Sequence, residues 1–144
     1  MKWKLLHGKR RRTFALVFDA GDEVLAGLLD FARENGVQAA SFTGIGAFSD
    51  ATLAFFQCEK KQYKNIPLAE QVEVLVLAGD ITLKEGQPHV HAHVVVGRAD
   101  GSTRGGHLLE AHVRPTLEVM LTDVPGRLER KRDERSGLWL IDLP

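Results

Sequence analysis

Only one segment of this 144-residue sequence carries the period of an amphipathic helix, and nearly everything after it reads as strand. From Glu23 to Asn35 the apolar residues Val24, Leu25, Leu28, Leu29 and Ala32 recur so as to share one helix face. Asp19-Ala20-Gly21-Asp22 turns the chain before it and offers a cap, and Gly36 stands where a left-handed residue ends a helix. Thr13 to Phe18 precedes it as a short strand. Behind it come Gln38 to Thr43, Ala51 to Gln57, a short edge at Tyr63, Val72 to Val76, His89 to Val96, Gly106 to Val113, Leu117 to Thr122 and Leu138 to Ile141. Runs of β-branched residues bounded by Gly, Pro and Asp support these strands. Val72 to Val76 lacks alternation, which predicts a strand covered on both faces. The expected class is therefore α+β: a central, largely antiparallel β-sheet with one main helix packed on it.

Composition limits the remaining options. The chain is 44% hydrophobic and 26% charged, with no repeat or linker, so a single domain over residues 1–144 is expected. Nineteen basic residues balance nineteen acidic ones, without the basic excess usual in dedicated nucleic-acid binders. The one cysteine, Cys58, excludes an internal disulfide and a cysteine zinc site; it follows an apolar run and reads as a half-buried structural thiol. The N-terminal segment lacks the apolar run of a signal peptide and no stretch suits a membrane span, so the expected compartment is the cytoplasm. Gly44-Ile45-Gly46 has neither the third glycine nor the helix of a dinucleotide loop, and tight-turn duty is expected of it.

Chemistry concentrates in the histidines. Four of the six fall in His89-Val90-His91-Ala92-His93 and in Gly105-Gly106-His107. Alternate residues of a strand share a face, so His89, His91 and His93 form a row of imidazoles with Val90, Ala92 and Val94 behind it. At ~3.3 Å per residue, neighbours in the row are ~7 Å apart and the outer pair ~13 Å. Metal–imidazole bonds are about 2.0 to 2.1 Å, so two adjacent members can share one ion but three cannot easily do so. The third ligand must come from another segment, and His107 is the natural candidate.

That assignment makes a demand on the loop between them. A two-residue Asp100-Gly101 turn would set His107 opposite Val94, on the wrong face. A three-residue Ala99-Asp100-Gly101 loop with Gly101 left-handed sets it opposite His93, on the same face. Such a site resembles a three-histidine zinc centre with a fourth position left for water. Glu110, Asp80 and Glu73 are all candidates for an orienting carboxylate. The rival reading is a histidine-lined subunit interface or a pH-sensitive cluster. His7 and His112 read as surface or structural residues.

Positive charge gathers at Lys9-Arg10-Arg11-Arg12 and from Arg127 to Arg135. The first could meet phosphate, although a solvated strand entry is the plainer reading. The second, interleaved with Glu129, Asp133 and Glu134, looks like a solvated hairpin or turn.

Several segments resemble the "plants and prokaryotes conserved" (PPC) domain family. They are Phe18-Asp19-Ala20-Gly21-Asp22-Glu23, Thr43-Gly44-Ile45-Gly46-Ala47, Leu77-Ala78-Gly79-Asp80-Ile81 and Gly86-Gln87-Pro88-His89-Val90-His91-Ala92-His93-Val94. Asp100-Gly101, Gly105-Gly106-His107-Leu108 and Pro115-Thr116-Leu117-Glu118-Val119 continue the match in the same order. The resemblance spans roughly residues 10 to 142. It implies an α+β fold assembled as a homotrimer, and in bacterial and archaeal members a histidine cluster near a subunit boundary that can hold zinc or another divalent metal. The matching positions are His91, His93 and His107, with His89 an additional or alternative member. Plant members carry AT-hook segments that bind DNA, and prokaryotic members are often labelled DNA-binding, but this sequence has no Arg-Gly-Arg-Pro hook. The expected function is thus a trimeric, zinc-holding protein with a role in small-ligand binding or metal-assisted chemistry. The alternative is a DNA-associated regulatory protein acting through Lys9 to Arg12.

Overall fold

The computed structural model describes residues 1–8 and 11–143, with the side chains of residue 3 and residues 5–8 outside the description. Its elements in chain order are β1 (Lys2–Gly8), β2 (Arg12–Asp19), α1 (Val24–Asn35), β3 (Ala40–Gln57), β4 (Gln62–Leu68), β5 (Val72–Lys84), β6 (Gln87–Gly97), β7 (Thr103–Asp123), β8 (Glu129–Arg132) and β9 (Trp139–Ile141). The α+β class holds in broad terms, as one helix on a strand-dominated chain. The sheet is mixed, however: β8 joins β5 in parallel, through Leu83 with Glu129 and Lys84 with Arg130.

The helix forms where its apolar spacing places it, but Glu23 rather than Asp22 caps it. The Glu23 carboxylate accepts from the amides of Leu25 and Ala26 at 3.2 and 2.6 Å, meeting N–H groups that lack a partner within the first turn. Asp22 is drawn away to the N-terminal ammonium at 2.7 Å. Gly36 ends the helix at φ 63, as its position predicts. Val24, Leu28, Phe31 and Ala32 are buried from this helix, Phe31 edge-on to Phe14 at 5.0 Å.

Two long strands replace four of the expected short ones. β3 runs unbroken from Ala40 to Gln57 and β7 from Thr103 to Asp123. The order β1-β2-β7-β3-β5-β8-β9 forms the main path, with β4 added beside β3 and β6 bridging β5 and β7. Register shifts bend both long strands, so each pairs with different neighbours along its length. Gly44-Ile45-Gly46 is such a bend and not a tight turn: β3 is paired to β7 and β5 throughout, and a Cβ on Gly46 would fall against the Thr116 carbonyl of β7.

The two faces of this sheet differ. Beneath α1, residues such as Leu16, Phe48, Leu77, Ala92, Val94, Leu117 and Leu121 form one buried cluster with the helix. On the other face Ile45 is 61% exposed, Leu75 51%, Met120 47% and Val76 41%. The missing alternation in Val72 to Val76 is therefore a second apolar face left open, plus a register shift between Val74 and Val76, rather than a strand covered twice within the chain. Cys58 also departs from expectation: it lies exposed in a 3-10 turn after β3, where the apolar run has already ended.

Candidate metal centre

β6 is the strand that builds the site. Ala92 and Val94 are 1% and 2% exposed on the helix side, which turns His89, His91 and His93 to the open face. The β6–β7 hairpin then decides where His107 goes. The Arg98 amide donates to the Ser102 carbonyl at 2.8 Å, leaving Ala99-Asp100-Gly101 as a three-residue loop with Gly101 at φ 81. The Asp100 carboxylate ties the loop down by accepting from the Ser102 amide and hydroxyl. In the resulting register His93 pairs directly with His107, the arrangement that the odd-length loop demands.

One nitrogen from each of His91, His93 and His107 lies within 4.8 Å of the others. The ring centroids stand 5.1, 5.1 and 5.3 Å apart, and the His91 and His93 planes are nearly perpendicular. His89, two residues back along the row, is not a member of this group. A Cβ on Gly79 would collide with the His91 carbonyl, so β5 and β6 can approach this closely only with glycine there.

Three neutral imidazoles suit a borderline-soft divalent ion such as zinc. His107 Nδ1 is buried without a hydrogen-bond partner, a costly state for a polar nitrogen that coordination would relieve. Burial, and the charge of the neighbouring His91, His93 and His89, push the His107 pKa down to about 4. His93 is lowered by burial and then by His91. His89 is lowered by burial and then by Arg130, Lys84 and His91. The lowered values of His93 and His107 favour the neutral form that a metal requires.

Of the three candidate carboxylates, only Asp80 reaches the group. It pairs with His91 across β5 and β6, and its Oδ2 lies 3.6 Å from His91 Nδ1. Glu73 sits opposite Gly97, and Glu110 pairs with Thr52 and sets its charge near His112 instead. Desolvation raises the Asp80 carboxyl, but the adjacent His91 and the Arg130 guanidinium outweigh it and leave the pKa lowered.

Arg130 is the residue that sequence reading missed. Its guanidinium donates to Asp80 Oδ1 at 2.6 Å, to Thr82 Oγ1 at 2.8 Å and to the Trp139 carbonyl at 2.9 Å, and comes within 3.5 Å of His91 Nδ1. Only 6% of Arg130 is exposed, so the charged run from Arg127 to Arg135 is no simple solvated turn. Within that run, alternation along β8 was the available signal: Arg130 points inward while Lys131 points out.

The β8–β9 hairpin and Tyr63 close one side of the triad. Tyr63 stacks on His107 with centroids 5.0 Å apart and takes Phe56 at its edge. A cleft of about 300 Å³ remains, lined by Tyr63, His89, His91, His107, Arg130 and residues 137–140. His93 borders the other side, where Val76, Ala78 and Val95 continue the open apolar face.

The basic run at the start of β2 does not form a patch among the described residues. Arg11 is exposed, and Arg12 is paired with Asp123, donates to the Asn35 carbonyl and lies over Phe14. Lys9 and Arg10 lie outside the described residues. His112 is held by Asp50 at 2.8 Å on the surface, away from the triad.

Similar proteins share this scaffold. A crystal structure of a plant- and prokaryote-conserved protein from Pyrococcus horikoshii is 35% identical with a TM-score of 0.88, covering 99% of this chain and 96% of that one. A metal-containing protein from Archaeoglobus fulgidus is 35% identical with a TM-score of 0.87, covering 99% and 100%. A Bacteroides thetaiotaomicron protein, named a candidate DNA-binding protein, is 30% identical with a TM-score of 0.88, covering 97% and 96%. Bifunctional protein GlmU of Synechococcus sp. (strain JA-3-3Ab) is 32% identical over 129 residues; this chain spans about one fifth of its length. Residues 6–125 match the Plants and Prokaryotes Conserved (PCC) domain, and the chain belongs to that family.

Proposed function

We propose that this protein is a metal-binding member of its family, holding one zinc ion per chain through His91, His93 and His107. The observation that carries this is the convergence of three imidazole nitrogens within 4.8 Å, one ring having a buried nitrogen without a partner. Zinc held by three neutral nitrogens keeps its full positive charge and an open position for an outside ligand. Asp80 favours the His91 tautomer with the proton on Nδ1, and Arg130 fixes Asp80 in turn. His89 stands beside the centre rather than in it.

The similarity to a metal-containing archaeal protein supports the reading. Metal analysis of protein purified without a histidine tag tests it. One equivalent of zinc is expected, falling to background in His107→Ala; protein that takes up no divalent metal overturns it.

The open apolar face is proposed as the surface of self-association, with the family resemblance setting the number of chains at three. Ile45, Leu75, Val76 and Met120 line it, and a large exposed apolar patch ordinarily marks an interface. Light scattering that returns the mass of a single chain would remove this part of the reading. The whole chain is proposed to act as one unit in the cytoplasm.

A further inference from the structure

The cleft beside the histidines has a chemical character that the metal reading does not use. None of the residues lining it is acidic. The nearest carboxylate, Asp80, is already committed, with Oδ1 on Arg130 and Oδ2 facing His91. Beside the cleft stands a cation, Lys84, whose Nζ lies 4.6 Å from the centre of the Trp139 indole, whose charge also acts on His89, and which makes no ion pair among the described residues. An anion entering here meets positive charge and no opposing carboxylate.

The walls are of the opposite kind. Leu138, Trp139 and Leu140 supply one side and Tyr63 another, so the body of a ligand meets aromatic and branched apolar surface. The volume, about 300 Å³, lies at the lower end of the range for small-molecule sites. His89 borders the cleft and is free of the triad, which leaves its ring N–H available as a hydrogen-bond donor. A few polar groups at one end and flat apolar walls at the other are the usual build of a site for a small metabolite.

We propose that this cleft binds a small organic carboxylate with a flat, ring-like body, its charged end towards His89 and the histidine triad and its ring against Trp139 and Tyr63. The inference rests on the triad being a metal centre, because the ion supplies the positive charge at the charged end. A short aliphatic acid would leave the aromatic walls uncovered.

Calorimetric titration of zinc-loaded protein tests it with three probes: benzoate, its neutral isostere benzamide, and acetate. Benzoate is expected to bind saturably, one per chain, with benzamide and acetate each weaker by about tenfold or more. Trp139→Ala and His89→Ala should each weaken benzoate by about tenfold with zinc content unchanged. Tyr63→Leu stands in if the Trp139 change unfolds the hairpin. Zinc measured in the same samples separates the two readings. Protein that holds zinc but treats benzoate and benzamide alike overturns this inference and leaves the metal centre standing. So does unchanged benzoate binding in Tyr63→Leu and His89→Ala. Protein that holds no zinc overturns the metal centre and this inference with it.

Discussion

The two faces of the sheet carry almost the same kinds of residue to opposite ends. Under the helix, Leu16, Phe31, Leu77 and Leu117 are wholly buried and every large side chain has a neighbour from another element. On the outer face, apolar residues of the same size stand open beside the exposed Glu73 and Glu118, and three imidazoles turn towards one another. One face is finished by the chain itself. The other is left open, and the ion, ligand and further copies proposed above would cover it. The difference separates what stabilises this protein from what it can do, since the residues needed for one lie across the sheet from those needed for the other.

The division can be broken most sharply at Phe31. Phe31→Ala removes a ring with no exposed surface and should cost about 3 to 5 kcal/mol in denaturant unfolding, enough to unfold much of the protein. If it cost no more than an outer-face change, the contrast between faces would be lost. Asp80→Asn comes next. It leaves the Arg130 guanidinium without its carboxylate and should cost about 2 kcal/mol, a partly exposed pair being worth less than a fully buried one. Zinc affinity, read by chelator competition, should fall about 10- to 100-fold as His91 loses its orienting partner.

Smaller in folding energy, though not in assembly, is Val76→Ser with Met120→Ser. Circular dichroism should be unchanged and stability altered by less than about 1 kcal/mol, while light scattering shifts towards single chains. An intact oligomer would show that the outer face is not its interface.

The smallest effect belongs to the His112–Asp50 pair. The hydrogen bond to Asp50 raises His112, and the hydrogen bond from His112 lowers Asp50. The His112 contribution is complete below the unfolded histidine value of about 6.5 and is lost as pH rises through its raised folded value. The Asp50 contribution is present above about 3.9 and is lost as pH falls through its lowered folded value. Both side chains are more than a third exposed, so screening leaves about 0.3 kcal/mol. His112→Gln should therefore differ from the parent near about pH 5.5 and match it at about pH 9, by urea unfolding at each pH.

How much of this was legible in the residues depended on how local the signal was. The helix and its Gly36 end follow from spacing within one turn. The triad followed from strand alternation and a loop whose length sets parity, both carried by residues 89 to 107. The continuous β3 was not visible, because glycines that usually mark turns here permit close approach between strands, as at Gly46 beneath Thr116, and in β7 the strand runs on through Arg114-Pro115, where a break was expected. Arg130 was hidden for a related reason. It reaches Asp80 across fifty positions of sequence, and a buried arginine inside a run of charges looks like any other until its partner is known.

The roof of the cleft has a consequence for how such proteins diverge. The histidines belong to β6 and β7, inside the segment shared across the family, whereas Leu138, Trp139 and Leu140 arrive on a short hairpin beyond it, joined to the sheet by the parallel pairing at Leu83 and Lys84. Floor and roof are thus separate stretches of the chain, and solved relatives covering 99% of it extend over both. Substitutions in the roof can change which molecule is admitted without touching the histidines beneath it, so one floor can serve different cargoes.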